Sequence, residues 1–181
     1  MFFWNRKTTQ DKFKNAIRDV VDFPKQGIIF KDITTALKDA EVLRETTDLL
    51  YEKYKDMGIT QVVGIESRGF ILGSILAYKL GAGMVLMRKP GKLPADTFKV
   101  EYELEYGTDS IEIHKGALTN NDVVLLHDDL LATGGSATAA IKLINKFDVK
   151  AVHVNFLIEL DFLNGADKLP KSDSVYSMVH Y

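Results

Sequence analysis

The chain has 181 residues, 46% of them hydrophobic and 27% charged, and its 23 basic and 25 acidic side chains leave a formal net charge of −2. That length and balance fit one soluble domain with a sizeable core, and they exclude a broad electrostatic grip on nucleic acid or an anionic membrane. The absence of cysteine excludes disulfides, thiolate catalysis and thiolate metal sites, and it is compatible with a reducing cytoplasm. The apolar N-terminal run stops at Trp4, too early for a secretory signal, and no stretch reaches the roughly 20 apolar residues that cross a bilayer.

Taken in chain order, Phe13, Ile17, Val20 and Val21 recur at helical spacing and predict a helix over Thr9–Val21, with Thr9 as its cap. DFPKQGIIFKDIT breaks that period with Pro24 and Gly27 and reads as a loop feeding a short extended piece. Leu43, Thr47, Leu50, Tyr54 and Met57 predict a second helix, stopped by Gly58. Val62, Val63 and Ile65 follow as a short buried strand that ends at Glu66-Ser67-Arg68-Gly69. A third helix runs through Ile71, Ile75, Leu76 and Leu80 to Gly81, and Met84–Met87 reads as another buried strand.

Between Phe98 and Ile113 the period changes to two. Phe98, Val100, Tyr102, Leu104 and Tyr106 alternate with polar residues, and Gly107-Thr108-Asp109-Ser110 reads as the turn of an antiparallel hairpin with one wet face. Val123–Leu126 is continuously apolar, as a central parallel strand must be, and a glycine-containing loop and a helix through Ala140, Ile141 and Ile144 come after it. Strands at Val152–Ile158 and Val175–Val179 complete the pattern. Alternating strands and helices predict an α/β fold: a parallel central sheet flanked by helices, with the hairpin inserted as a flap.

The chemistry concentrates after the strand at Val123. His127-Asp128-Asp129 is followed by Leu130-Leu131-Ala132-Thr133-Gly134-Gly135-Ser136 and then a helix. Ligands of open α/β sheets sit beyond the carboxyl ends of the strands. A loop of small residues opening a helix turns several free N–H groups toward an anion, and the helix dipole adds to their pull. This loop therefore reads as a phosphate site, and the acid pair before it as a holder of ribose hydroxyls or hydrated Mg²⁺. No Gly-Lys-Ser/Thr or GxGxxG pattern is present, which argues against a nucleoside triphosphatase or a dehydrogenase. His127 reads as a packed strand-end histidine rather than a catalytic one.

Five blocks in order, DFPKQGIIFKDIT, VVGIESRGFILG, RKPGKLP, LEYGTDSIEIH and DDLLATGGS, resemble the type I phosphoribosyltransferases, most closely the branch that uses adenine. The resemblance runs from about Asp22 to Leu160. It implies a single domain over residues 1–181, with a small N-terminal hood and base-recognition segment at 1–36 and a flap hairpin at 90–115. It implies transfer of the phosphoribosyl group from phosphoribosyl diphosphate to adenine, giving AMP and diphosphate, in a cytoplasmic homodimer with Mg²⁺ carried mainly by the substrate.

Carried over residue by residue, Asp128 and Asp129 would hold the ribose hydroxyls, and Ala132, Thr133, Gly134, Gly135 and Ser136 would enclose the 5-phosphate. Ser67 and Arg68, with Arg88, Lys89 and Lys92 of the flap, would hold the diphosphate, and the planar guanidinium of Arg68 suits that task. A cation at a helix N-terminus opposes the helix dipole, so an anion is expected beside Arg68. Glu105, with Tyr106 in the flap block, would reach the purine N7 edge and assist charge development on the base, and Glu105 and Arg68 would be the catalytic residues. Phe30 would stack on the base against Leu130, with backbone groups around Ile29 and Lys31 reading its edge. Gln26 and Lys31 stand where the family commonly has Pro and Arg, so base choice is the point most open: another purine base, or a non-catalytic sensor of phosphoribosyl diphosphate, are the alternatives.

Overall fold

The computed structural model describes residues 6–104 and 107–181. They form two compact units, one up to Lys53 and one from Tyr54 onward.

In the first unit α1 spans Arg6–Ala16, β1 Arg18–Val21, β2 Ile29–Asp32, α2 Thr34–Lys38 and α3 Ala40–Tyr54, whose last residue opens the second unit. The helix expected over Thr9–Val21 therefore ends five residues early. Val20 and Val21 are β-branched and favour an extended chain, and β1 finds an antiparallel partner in β2, with Val20 opposite Phe30 and Val21 opposite Ile29. Thr9 is not the cap but a buried residue inside α1. Asp39 caps α3 instead, its Oδ1 accepting from the N–H groups of Glu41 (2.9 Å) and Val42 (3.1 Å). Lys12 of α1 ties to the same helix through Glu41 and Glu45, both at 2.8 Å.

The second unit is a five-stranded, wholly parallel sheet in the order β4-β3-β7-β8-β9. Its strands are β3 (Gln61–Ile65), β4 (Gly83–Met87), β7 (Val123–Leu131), β8 (Ala151–Glu159) and β9 (Ser174–His180). Right-handed crossovers between parallel strands need a long connection; α4 (Gly69–Leu80) and α5 (Gly135–Ile144) supply the helical ones. The core lies around β7. Val63, Leu126, Val154, Ile141 and Ile144 are all fully buried there.

The hairpin, β5 (Thr97–Leu104) and β6 (Gly107–His114), stands apart from the sheet as its own two-stranded pair. Its apolar face turns inward: Ile111 and Ile113 join the core, and Phe98 meets Phe147 edge-on with ring centroids 5.5 Å apart, while Lys99 and Glu101 remain exposed. Two hydrogen bonds between Arg88 and Glu112 backbones (2.8 and 2.9 Å) root it to the end of β4. The turn expected at Gly107–Ser110 is instead paired strand, because the register runs Leu104 opposite Gly107 and Glu101 opposite Ser110. Residues 105 and 106 lie outside the described residues.

Leu126 sits between Val63 of β3 and Val154 of β8, both fully buried. Leu126→Ala is expected to cost about 2–5 kcal/mol of stability through lost burial and the cavity left behind, read as a lower urea midpoint at unchanged slope.

Candidate active site

The carboxyl end of β7 carries the acid pair, and here the structure corrects the sequence reading in one respect. The strand does not stop at Leu126 but continues to Leu131, so Asp128 and Asp129 are strand residues rather than part of a loop. Parallel pairing with β8, Asp128 opposite Phe156 and Leu130 opposite Ile158, holds them there. Their positions are consequently set by the sheet itself.

One cleft gathers Ser67 and Arg68 from the loop after β3, Asp128, Asp129 and Leu130 from β7, and Ala132–Ser136 from the loop into α5. Lys89, Tyr102 and Glu66 complete its polar wall. Gly134 takes a left-handed conformation (φ 83°) and starts α5, so the loop delivers its N–H groups to the N-terminal end of a ten-residue helix. The start of α4 presses equally close: a Cβ on Gly69 would stand 2.6 Å from the His127 carbonyl oxygen and 3.1 Å from Asp128 Oδ1. Only glycine lets that helix end approach the acids.

The anion expected beside Arg68 is Asp129, whose Oδ2 lies 3.0 Å from Arg68 Nη1. Asp128 Oδ1 accepts from the Asp129 N–H at 2.9 Å. Burial pushes the Asp128 carboxyl well above the usual carboxylate range, and the neighbouring Asp129 charge pushes it further. Asp129 is raised too, by burial, against the lowering pull of Arg68. One guanidinium therefore faces two carboxylates, and the cleft has room for a ligand that brings hydroxyl donors or a further cation.

The basic run after β4 divides. Lys89 lines the cleft, where its ammonium pairs with Asp109 and donates to the Tyr102 hydroxyl at 3.0 Å. Burial lowers the Lys89 pKa, but those two partners outweigh it and hold the ammonium above its ordinary value. Among the described residues the cleft wall includes neither Arg88 nor Lys92. Both are engaged by Glu66, a residue the sequence reading passed over: Lys92 Nζ lies 2.6 Å from Oε1, Arg88 Nε 3.3 Å from Oε2, and the Lys89 N–H donates to Oε2 at 2.8 Å. Its only sequence signal was an acid directly before Ser67-Arg68 in a chain whose next loop reads RKPGK. The Glu66–Ser67 peptide is cis.

His127 is fully buried beneath the acids, with Nδ1 2.7 Å from Asn155 Oδ1, and burial lowers its pKa to about 4. It is neutral near pH 7 and does not line the cleft, as a packing histidine should not. The base-recognition candidates belong to the first unit. There Ile29 is exposed, Phe30 meets Phe23 edge-on at 5.2 Å, and Lys31 Nζ pairs with Asp19 at 2.8 and 2.9 Å. Glu105 and Tyr106 lie outside the described residues.

Burial alone would raise the Glu66 carboxyl, but Lys92, the Lys89 N–H and Arg88 bring it from 4.5 down to about 2. A carboxyl depressed on folding contributes stability that is present above its unfolded value and lost as pH falls through the folded one. Glu66→Gln should therefore be less stable than the native chain at neutral pH. The gap should close as pH falls from 4.5 toward 2, as read from urea midpoints across that range.

The family model for the phosphoribosyl transferase domain matches residues 34–180. The adenine phosphoribosyltransferase of Bacteroides fragilis is 60% identical over 157 residues, 87% of this chain and 88% of that protein. A crystal structure of the Rhodothermus marinus adenine phosphoribosyltransferase superposes with a TM-score of 0.91 at 48% identity, covering 97% of this chain and 99% of that one. The Saccharomyces cerevisiae adenine phosphoribosyltransferase, solved with D-2,5-dideoxy-2,5-imino-altritol 1,6-bisphosphate and adenine, matches with a TM-score of 0.89 at 38% identity, over 96% and 99% of the two chains. The fold thus matches along nearly the whole chain, and the chain belongs to the phosphoribosyltransferase family, in its adenine phosphoribosyltransferase branch.

Proposed function

We propose that this chain transfers the 5-phosphoribosyl group from phosphoribosyl diphosphate to adenine, giving AMP and diphosphate. The observation that carries this reading is the convergence of an anion-binding helix start, a buried acid pair and the cations Arg68 and Lys89 in one cleft. A ligand that suits it has a phosphate at one end, a pair of hydroxyls in the middle and a second anionic group at the other.

In that placement the N–H groups of Ala132–Ser136 hold the 5-phosphate, with the Thr133 and Ser136 hydroxyls adding donors. Asp128 and Asp129 accept from the ribose hydroxyls, and Arg68 with Lys89 faces the diphosphate. Ser67 presents its hydroxyl in the same loop, and Leu130 lines the cleft where an apolar ring face would lie. Arg88 and Lys92 act through Glu66: the carboxylate gathers the cationic loop at the cleft edge. Ile29, Phe30 and Lys31 supply recognition of the base, chiefly through the backbone of β2, because the Lys31 ammonium is already occupied by Asp19.

Breaking the bond between the anomeric carbon and the diphosphate oxygen leaves positive charge on the ribose and negative charge on the leaving group. Adenine N9 then forms the new bond to that carbon, and the proton that the base's imidazole ring gives up passes to the Glu105 carboxylate at the N7 edge. The carboxylates near the sugar stabilise the first charge, and Arg68 and Lys89 the second. Glu105 assists at the N7 edge as charge develops on the purine. The rooted hairpin carries Tyr102, hydrogen-bonded to Asp109, against the cleft and excludes water that would otherwise capture the ribosyl cation.

The carboxylate oxygens of Asp128 and Asp129, incompletely compensated in charge, fit a hard cation such as Mg²⁺ carried mainly by the substrate's own oxygens. Held by the substrate's oxygens near Asp128 and Asp129, Mg²⁺ would supply positive charge against the departing diphosphate. A homodimeric state and a cytoplasmic location belong to the proposal on the strength of family membership and a cysteine-free composition. Among the described residues no helix is long and apolar enough to cross a membrane.

A spectroscopic assay with Mg²⁺, phosphoribosyl diphosphate and a panel of bases tests the reading. Adenine should be converted, and turnover of hypoxanthine without adenine would overturn the base assignment. Glu105→Gln is expected to lower kcat by about 10²–10⁴-fold while leaving the KM for phosphoribosyl diphosphate nearly unchanged. An equal loss in both would remove Glu105 from its role.

A further inference from the structure

The segment between β8 and β9 folds as a strap against the phosphate loop. It has two single 3-10 turns, Asp161–Leu163 and Ala166–Lys168, with Gly165 between them. Gly165 is buried although Asn164 and Ala166 on either side are exposed. The contact is backbone on backbone. A Cβ on Gly165 would stand 2.1 Å from the Ala132 carbonyl oxygen and 3.1 Å from Gly134 N, and a Cβ on Gly134 would stand 2.6 Å from the Gly165 carbonyl oxygen. Two glycines face each other, and neither position has room for a side chain.

Both ends of the strap are fixed. Leu160 N–H donates to the Leu131 carbonyl at 2.9 Å, one residue before the loop starts. Asp161 N–H donates to the Tyr181 carbonyl at 2.9 Å, and its Oδ1 meets His180 Nδ1 at 2.8 Å, which anchors the same end to β9. At the far end the Thr138 hydroxyl of α5 donates to the Lys168 carbonyl at 3.2 Å. The loop is thus clasped before its first residue, at its middle and one turn into its helix.

We propose that Gly165 is a positioning residue for phosphoribosyl binding, and that the strap Leu160–Leu169 holds the backbone of Ala132–Ser136 in its anion-binding conformation. This rests on the reading that those five residues take the 5-phosphate. A loop whose N–H groups converge only in one conformation gains affinity by being held there before the ligand arrives. Any side chain at 165 must displace Ala132 or Gly134, and so scatters those N–H groups without touching the base or the acid pair.

The test is steady-state kinetics and thermal melting of the full chain carrying Gly165→Ala or Thr138→Val. Gly165→Ala should raise the KM for phosphoribosyl diphosphate by about tenfold or more, with the KM for adenine within about twofold of native, since misplacement of about 1 Å is enough to cost such factors. Thr138→Val removes one clasp without adding bulk and should raise the same KM by about two- to fivefold, the worth of one hydrogen bond. An unchanged KM for phosphoribosyl diphosphate in Gly165→Ala, or a parallel rise for both substrates with a lowered Tm, overturns the proposal. If Gly165→Ala does not fold, Thr138→Val decides by the same selective rise or its absence. A native chain that transfers nothing refutes the functional reading and the strap's role with it, whereas an active native chain with indifferent variants refutes the strap alone.

Discussion

Asp128 and Asp129 stand consecutively at the end of the central strand, where water is scarce and Arg68 pairs with Asp129. Burial opposes both charges, and the charge on each opposes the other. A fold keeps such a pair only if something holds the backbone in place against that cost. Here the pair lies in a strand that pairs with β3 as far as His127 and with β8 through to Leu131, and its carboxyl end is met by a helix start that requires glycine at 69. The rest of the cleft is arranged around this constraint: Arg68 enters from the loop before α4, the Ala132–Ser136 loop leaves from the same strand, and His127 stays neutral beneath.

A second electrostatic centre lies beside the first and has the opposite bias. Glu66 is also largely buried, yet three donors from the Arg88–Lys92 loop take its pKa down to about 2. The two centres differ in how many positive groups each acid meets. Glu66 is fully compensated and acts as a structural hub for a cationic loop. The aspartates are under-compensated, and in the proposed function a ligand completes them.

Much of this was legible in the sequence, because the features concerned are local. The apolar run of Val123–Leu126, the small-residue loop and the following helix are contiguous, and the alternation of Phe98, Val100 and Tyr102 marked a hairpin that the structure contains. Errors arose where a non-local partner decided the outcome. Val20 and Val21 fit a helical period, but pairing with β2 made them a strand. The continuous apolar run stops at Leu126, but pairing with β8 extends the strand to Leu131. Gly107–Ser110 has turn composition, but the hairpin register places it in β6. Glu66 and Gly165 could not be singled out by spacing: one acts on a loop more than twenty residues away, and the other by the absence of a side chain against a distant backbone.

The most direct test of the under-compensated pair is the ionisation of Asp128 itself, followed by carbon-13 NMR on aspartate-labelled protein, with Asp128→Asn to identify its signal. In the free chain the Asp128 carboxyl should stay protonated well above the ordinary 3.8. Addition of Mg²⁺ and phosphoribosyl diphosphate should bring its titration down, because hydroxyl donors and a cation favour the charged form. A signal that titrates in the ordinary carboxylate range, and does so alike with and without ligand, would contradict the account.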